Sequence, residues 1–164
     1  RHPDDDVGTW MTTVNREISR DNTEALFVTA FAGILDLDSG DLVYCNAGHD
    51  APYCVGAASG LRRLVAGDGP PLCTVDDFEY RGEHTFLDPG ELVVLVTDGV
   101  TDMRDPAGAM YGRARMEAVL EGRRSQAGSA REAVDALCGD VQAFAAGAEP
   151  ADDLTVLAIR WNGP

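Results

Sequence analysis

Residues 92–105 read LVVLVTDGVTDMRD. Leu92, Val93, Val94, Leu95 and Val96 form an unbroken apolar run, and three of the five are β-branched. A run this short and this branched reads as a strand buried on both faces. It stops at Thr97-Asp98-Gly99. A carboxylate at that point sits at the rim of the core, and the glycine beside it permits a close backbone approach or a positive φ. An ordinary Asp-Gly turn after a strand has the same letters.

A second acidic site lies near the C-terminus, where Asp152-Asp153-Leu154-Thr155-Val156-Leu157-Ala158-Ile159 puts two carboxylates at the start of another apolar strand. If the two strands are antiparallel neighbours, the end of one lies beside the start of the other, and Asp98 converges with Asp152. Clustered carboxylates repel one another, so such a cluster calls for a cation. Oxygen donors alone suit the hard ions Mg²⁺ and Mn²⁺.

Outward from residue 92, Asp88-Pro89-Gly90 is turn chemistry and Phe78 to Phe86 reads as a half-exposed strand. Further back, Phe27 to Leu35 reads as a strand with Phe27, Phe31 and Leu35 on one face. The turn Asp36-Leu37-Asp38-Ser39-Gly40 leads to a partner strand over Leu42 to Asn46. Pro52 to Val55, a turn over Gly56 to Gly60, and Leu61 to Val65 continue the meander. The chain opens with a helix in which Val7, Trp10, Met11, Val14 and Ile18 recur at helical spacing. Asp4, Asp5 and Asp6 are expected to cap it as a solvated acidic run. Downstream of the TDG segment, Met103 to Tyr111 is a loop, and Gly112 to Leu120 is a short helix with Met116, Val119 and Leu120 inward. Ser129-Ala130-Arg131-Glu132 is a capping box for a longer helix with Ala130, Val134, Leu137, Cys138, Val141 and Phe144 as its apolar stripe. The last strand runs from Leu154 to Trp161. Strands in runs, with helices gathered separately, indicate an α+β fold.

Composition narrows the function classes. With 28 acidic residues against 13 basic, the net charge is −15, which disfavours nucleic acid and anionic membranes as partners. No apolar run approaches a membrane span, and Arg1-His2-Pro3-Asp4 does not read as a signal peptide, so a cytoplasmic chain is expected. Cys45, Cys54, Cys73 and Cys138 lack CxxC spacing and read as free thiols, not zinc ligands or disulfides. His49 is a candidate ligand or proton donor, but a lone histidine more often serves structure.

Three segments carry a resemblance: NAGHDAP at Asn46 to Pro52, TDGVTD at Thr97 to Asp102, and DDLTVLAIR at Asp152 to Arg160. In that order, with matching strands between them, they resemble the bacterial branch of the metal-dependent protein phosphatases. This is the type 2C superfamily, as represented by SpoIIE and RsbU-like phosphatases. The resemblance runs from about Val14 to Trp161. It implies an antiparallel β-sandwich flanked by helices, with a two-metal site of Mn²⁺ or Mg²⁺ at one end. It implies water-based hydrolysis of phosphoserine or phosphothreonine on a regulatory protein, such as an anti-anti-sigma factor of the STAS fold. Under it, Asp98 and Asp152 match metal ligands, Asp153 is an outer or alternative ligand, and Gly99 matches the glycine that lets the site backbone pack closely. Asp102 falls where the family often has an acidic residue, and NAGH is mostly a structural turn.

The same resemblance implies two further motifs, a GDxxD-like stretch and a D-[VG]-x-G-x-G segment, whose aspartates bridge the metals. Neither occurs in this sequence. Residues 1–164 are therefore expected to form a single domain that corresponds to the C-terminal part of the family's domain and is incomplete at its N-terminus. Without the strands that those motifs belong to, Phe27 to Leu35 and Leu92 to Thr97 are expected to become exposed edges that invite self-association. A non-catalytic, partner-binding pseudophosphatase is the alternative function.

Overall fold

The computed structural model describes residues 4–20, 22–64, 69–124, 128–150 and 152–164. Helix α1 (Asp4–Ser19) belongs with a three-stranded antiparallel sheet of β1 (Ala30–Leu35), β2 (Asp41–Ala47) and β5 (Glu83–Phe86), in the order β1-β2-β5. A second compact unit holds β3 (Tyr53–Gly56), β4 (Gly60–Arg63), β6 (Leu92–Val96) and β7 (Val156–Arg160), in the order β4-β3-β6-β7. To it belong α2 (Asp98–Thr101), α3 (Arg113–Glu121) and α4 (Ala130–Ala145). Both sheets are antiparallel throughout, so the class is α+β, as expected.

In the first unit, Val7 and Met11 of α1 pack with Val43, Cys45, Ala47, Leu72 and Tyr80. The apolar stripe expected of α1 is only half right. Trp10, Val14 and Ile18 are exposed, and the third inward position belongs to Asn15, which is 0% exposed. Its Nδ2 donates to the carbonyls of Val75 and Asp76 at 2.9 and 3.1 Å, and its Oδ1 accepts from the Cys73 N–H at 2.8 Å. A buried amide whose groups are all engaged costs little, and this one pins the loop to the helix. The Asp4–Asp6 run lies in the first turn of the helix instead of ahead of it; its side-chain capping role falls outside the described residues.

Several expected strands are shorter than read: Leu154 to Trp161 narrows to β7, and Leu61 to Val65 is strand only as far as Arg63, Val65 lying outside the described residues. Phe27 is exposed and Val28 pairs with Leu72 instead of β2, so β1 starts at Ala30. The face of β1 that meets the core carries Ala30 and Ala32, while Phe31 stacks on Tyr44 from the other face at a centroid distance of 5.7 Å. Residues 78–82 are no strand, because their backbone bonds are spent elsewhere. The Phe78 N–H donates to the Val75 carbonyl in a turn, and the Tyr80 N–H donates to Thr12 Oγ1 of α1 at 3.0 Å.

In the second unit, β6 is the buried strand that its sequence indicated. Leu92, Val93, Val94 and Val96 are buried and Leu95 is half-buried. It lies between β3 and β7, so the expectation that it becomes an exposed edge fails. One of its faces, with Tyr53 and Val55, meets Val100, Met103 and Tyr111 and the inward residues of α3 and α4. Those are Met116 and Leu120 on α3, with Val119 partly buried, and Ala133, Leu137, Val141 and Ala145 on α4. The α4 stripe runs through Leu137 and Val141, as predicted, with Ala130 and Phe144 partly buried beside it, but Ala133 and Ala145 take the core places expected of Val134 and Cys138, which are half-buried. Its capping box is formed: the Glu132 N–H donates to Ser129 Oγ at 3.2 Å and the Ser129 N–H to Glu132 Oε2 at 2.6 Å. Such a cap is worth about 1 kcal/mol.

Candidate metal centre

The strands that carry the two acidic segments are antiparallel neighbours, with Val96 opposite Val156. The C-terminal end of β6, bearing Asp98, therefore adjoins the segment that leads into β7, bearing Asp152 and Asp153. After Thr97 the chain turns at once into α2, whose first residue is Asp98. Val100, 0% exposed, anchors this turn in the core. The Asp98 carbonyl accepts from the Asp102 N–H at 2.8 Å and from Thr101 Oγ1 at 3.2 Å, which fixes the backbone behind the carboxylate. Asp98, Asp102, Asp152 and Asp153 are all exposed.

Gly99 shows why no other residue fits. A Cβ at this position would stand 2.5 Å from the Asp153 carbonyl oxygen and 2.9 Å from its carbonyl carbon. Of the two roles open to this glycine, close approach is the one seen, since it is not among the positive-φ glycines. The Asp153 carbonyl also accepts from the Thr97 hydroxyl at 2.9 Å, and the Asp153 N–H donates to Asp152 Oδ1 at 2.7 Å. The backbone of the Asp152-Asp153 segment is thereby pressed onto the Thr97-Asp98-Gly99 segment.

The donors at this end are carboxylate oxygens, and that chemistry fits a hard divalent cation. Their number is short of a closed site. Among the described residues, no three His, Cys, Asp or Glu side chains gather closely enough to hold a metal ion.

The NAGH segment belongs to the other unit. Asn46 Nδ2 donates to the His49 carbonyl and the His49 N–H donates to Asn46 Oδ1, both at 2.8 Å, closing a tight loop. Gly48 takes φ +71° in that loop, and a Cβ there would meet Pro71 at 2.7 Å. Two of the four cysteines are buried thiols and poor nucleophiles. Burial pushes the Cys45 thiol up to about 11 and the Cys54 thiol up to about 12, so both are protonated at neutral pH.

Sequence reading passed over Thr97, which joins the two acidic segments. A threonine before Asp-Gly is visible in the sequence, but nothing in one chain's letters tells which backbone groups its hydroxyl meets. No helix of the described residues is long and apolar enough to cross a membrane.

Comparison with known proteins agrees with this architecture. The family model described as stage II sporulation protein E (SpoIIE) matches residues 2–162. Protein IcfG of Synechocystis sp. is 30% identical over 138 residues, which cover 84% of this chain and 21% of that protein. Phosphoserine phosphatase RsbU of Bacillus subtilis is 25% identical over 95 residues, covering 58% of this chain and 28% of that protein. This chain thus spans from about a fifth to somewhat over a quarter of these curated relatives. Among solved structures, the RsbU and RsbW domains of a Mycobacterium tuberculosis protein superpose with a TM-score of 0.68 at 22% identity, over 96% of this chain and 42% of that one. The manganese-presoaked phosphatase domain of SpoIIE from Bacillus subtilis superposes with a TM-score of 0.66 at 15% identity, over 99% and 76%. With a type 2C phosphatase fold and a family match along nearly its whole length, the chain belongs to the stage II sporulation protein E (SpoIIE) family.

Proposed function

We propose that this chain supplies one side of the metal site of a protein serine/threonine phosphatase. In this reading Asp98 and Asp152 are ligands to Mn²⁺ or Mg²⁺, and Asp153 is an outer or alternative ligand. The observation that carries it is the clamped junction of β6 and β7, which keeps exposed carboxylates from two distant segments at one sheet end. A divalent cation bound there would acidify a water and offset the charge of a phosphoryl group. The chain's own part is positional. The α2 turn holds the Asp98 backbone, and Gly99 admits the Asp153 carbonyl.

The substrate proposed is a phosphoserine or phosphothreonine on a small regulatory protein, with a STAS-type anti-anti-sigma factor as the expected class, met in the cytoplasm. The names of the relatives support this: RsbU is a phosphoserine phosphatase, and the Mycobacterium tuberculosis protein joins an RsbU domain to an RsbW domain. A second reading has one observation in its favour. The lack of three converging ligand side chains among the described residues suits a non-catalytic partner-binding module.

Phosphate release from a phosphoserine protein substrate, with Mn²⁺ present, separates the two. A domain in which further acidic ligands complete this side of the site is expected to turn over, and its Asp98→Asn variant to lose about a hundredfold or more. The 164-residue chain is expected to bind Mn²⁺ at roughly millimolar concentration and to release little phosphate. Unaltered turnover by Asp98→Asn would sink the ligand assignment. No turnover by such a completed domain would favour the binding module.

A further inference from the structure

At Thr97 the chain leaves strand β6 without letting go of β7. Register places Thr97 opposite Thr155, one step beyond the Val96–Val156 pair. The Thr97 N–H donates to the Thr155 carbonyl at 3.1 Å, as a further rung of the ladder should. The return rung is different. The Thr155 N–H donates to Thr97 Oγ1 at 3.0 Å. The Thr97 carbonyl, which an antiparallel pair would use for that bond, accepts from the Val100 N–H at 3.0 Å and so starts α2. The hydroxyl proton in turn goes to the Asp153 carbonyl at 2.9 Å. Thr97 is the N-cap of α2, in extended conformation, yet its side chain makes no capping bond to that helix. Its oxygen is engaged with the neighbouring strand.

One side chain therefore replaces a main-chain carbonyl. The exchange lets the backbone turn helical at Asp98 while the Asp152-Asp153 segment stays attached alongside. We propose that the Thr97 hydroxyl is a positioning group for the candidate metal centre, setting Asp98 against the segment that bears Asp152 and Asp153. This inference rests on the metal reading above. Valine has the same branching and suits the same extended backbone, but it would leave the Thr155 N–H and the Asp153 carbonyl without their partner. Serine keeps the hydroxyl.

The test uses two readouts on the 164-residue chain. One is hydrogen exchange at the Thr155 amide. The other is Mn²⁺ titration followed by paramagnetic broadening of the Gly99 and Thr155 amide signals, which registers binding even at millimolar strength. Thr97→Val is expected to speed Thr155 exchange by about tenfold or more and to weaken Mn²⁺ binding by about tenfold, the low end for groups that orient ligands. Thr97→Ser is expected to restore both. If the valine variant does not fold, Thr97→Ala makes the same deletion with less bulk. Unchanged Thr155 protection in the variant lacking the hydroxyl would overturn the proposal, and so would lost protection with unchanged Mn²⁺ affinity. Asp98→Asn, titrated in parallel, separates the two claims. If it binds Mn²⁺ like the unaltered chain, the ligand assignment fails and the positioning role falls with it. If it binds more weakly while the Thr97 variants do not, only the positioning role fails.

Discussion

Glu91 and Arg62 form an ion pair, Oε1 to Nε at 3.2 Å, in which the Glu91 side chain is 1% exposed. Glu91 directly precedes β6 and Arg62 lies on β4, so the pair spans β3, which runs between them. The same carboxylate accepts from Ser59 Oγ at 2.9 Å and from the Asp88 N–H at 2.9 Å. Every oxygen of this buried charge is thus engaged. Removing the carboxylate takes the acceptor from Ser59 Oγ, the Asp88 N–H and Arg62 at once, at a cost of about 3 kcal/mol or more. Glu91→Ala should therefore lower the melting temperature by about 6–12 °C. Thermal unfolding followed by circular dichroism reads it directly, and a shift below about 2 °C would show the pair to be dispensable.

A second cluster makes stability depend on pH. Asp140 on α4 accepts from Arg115 Nε and from the Tyr111 hydroxyl, each at 2.8 Å. The Arg115 guanidinium, then the Tyr111 hydroxyl, hold the Asp140 carboxyl below the usual carboxylate range. The folded chain then binds fewer protons at this group than the unfolded chain does. The stabilisation is fully present above the unfolded value of about 3.9 and is lost as pH falls through the lower folded value. Asp140→Asn is expected to flatten the rise of stability with pH below about pH 4. Urea unfolding at pH 3, 4 and 7 measures this; equal slopes in the two proteins would contradict it.

Gly99 offers a steric test of the candidate centre. Its missing Cβ makes room for backbone, the Asp153 carbonyl, and not for the end of a flexible side chain. Gly99→Ala must push the two acidic segments apart. Overpacking of this kind costs about 1–3 kcal/mol. Mn²⁺ binding is expected to weaken along with stability. An alanine variant with unchanged melting temperature and unchanged Mn²⁺ titration would mean that the junction tolerates separation.

How much of this was legible in the sequence depends on the kind of interaction. The apolar run Leu92–Val96 and the i, i+4 pattern around Leu137 and Val141 announce burial by composition and period alone, and both are buried. Ser129 and Glu132 announce a cap because the bond is local. By contrast, Asn15 is buried by backbone groups of residues 73–76, and Thr97 is placed by residues 153–155. Those partners lie more than fifty residues away, and single-chain periodicity carries no sign of them. Residues 78–82 are no strand for the same reason: their alternation of Phe78 and Tyr80 with polar residues suits a half-exposed strand, but Thr12 of α1 takes the Tyr80 N–H. The expected exposed edge at β6 does not form because β3, distant in sequence, pairs with the side that β7 leaves open.

Strand order also decides where self-association should begin. Strand β7 ends the second sheet, and Leu157 and Ile159 on its outward face are 51% and 47% exposed. Among the described residues no strand pairs with its other side, and that edge together with its exposed apolar side chains forms a template on which another strand can add. Covering such a surface in a second copy recovers several kcal/mol, at about 25 cal/mol per Å² of apolar area. The net charge of −15 opposes close approach, and salt screens that repulsion over a Debye length of about 8 Å at physiological strength. We therefore expect association that strengthens as salt is raised from about 50 mM to about 500 mM. Double substitution of Leu157 and Ile159 by lysine should suppress it, since lysines block an edge to strand addition. Light scattering across concentration and salt reads the mass. A constant 17.4 kDa throughout would show that β7 does not pair with a second copy.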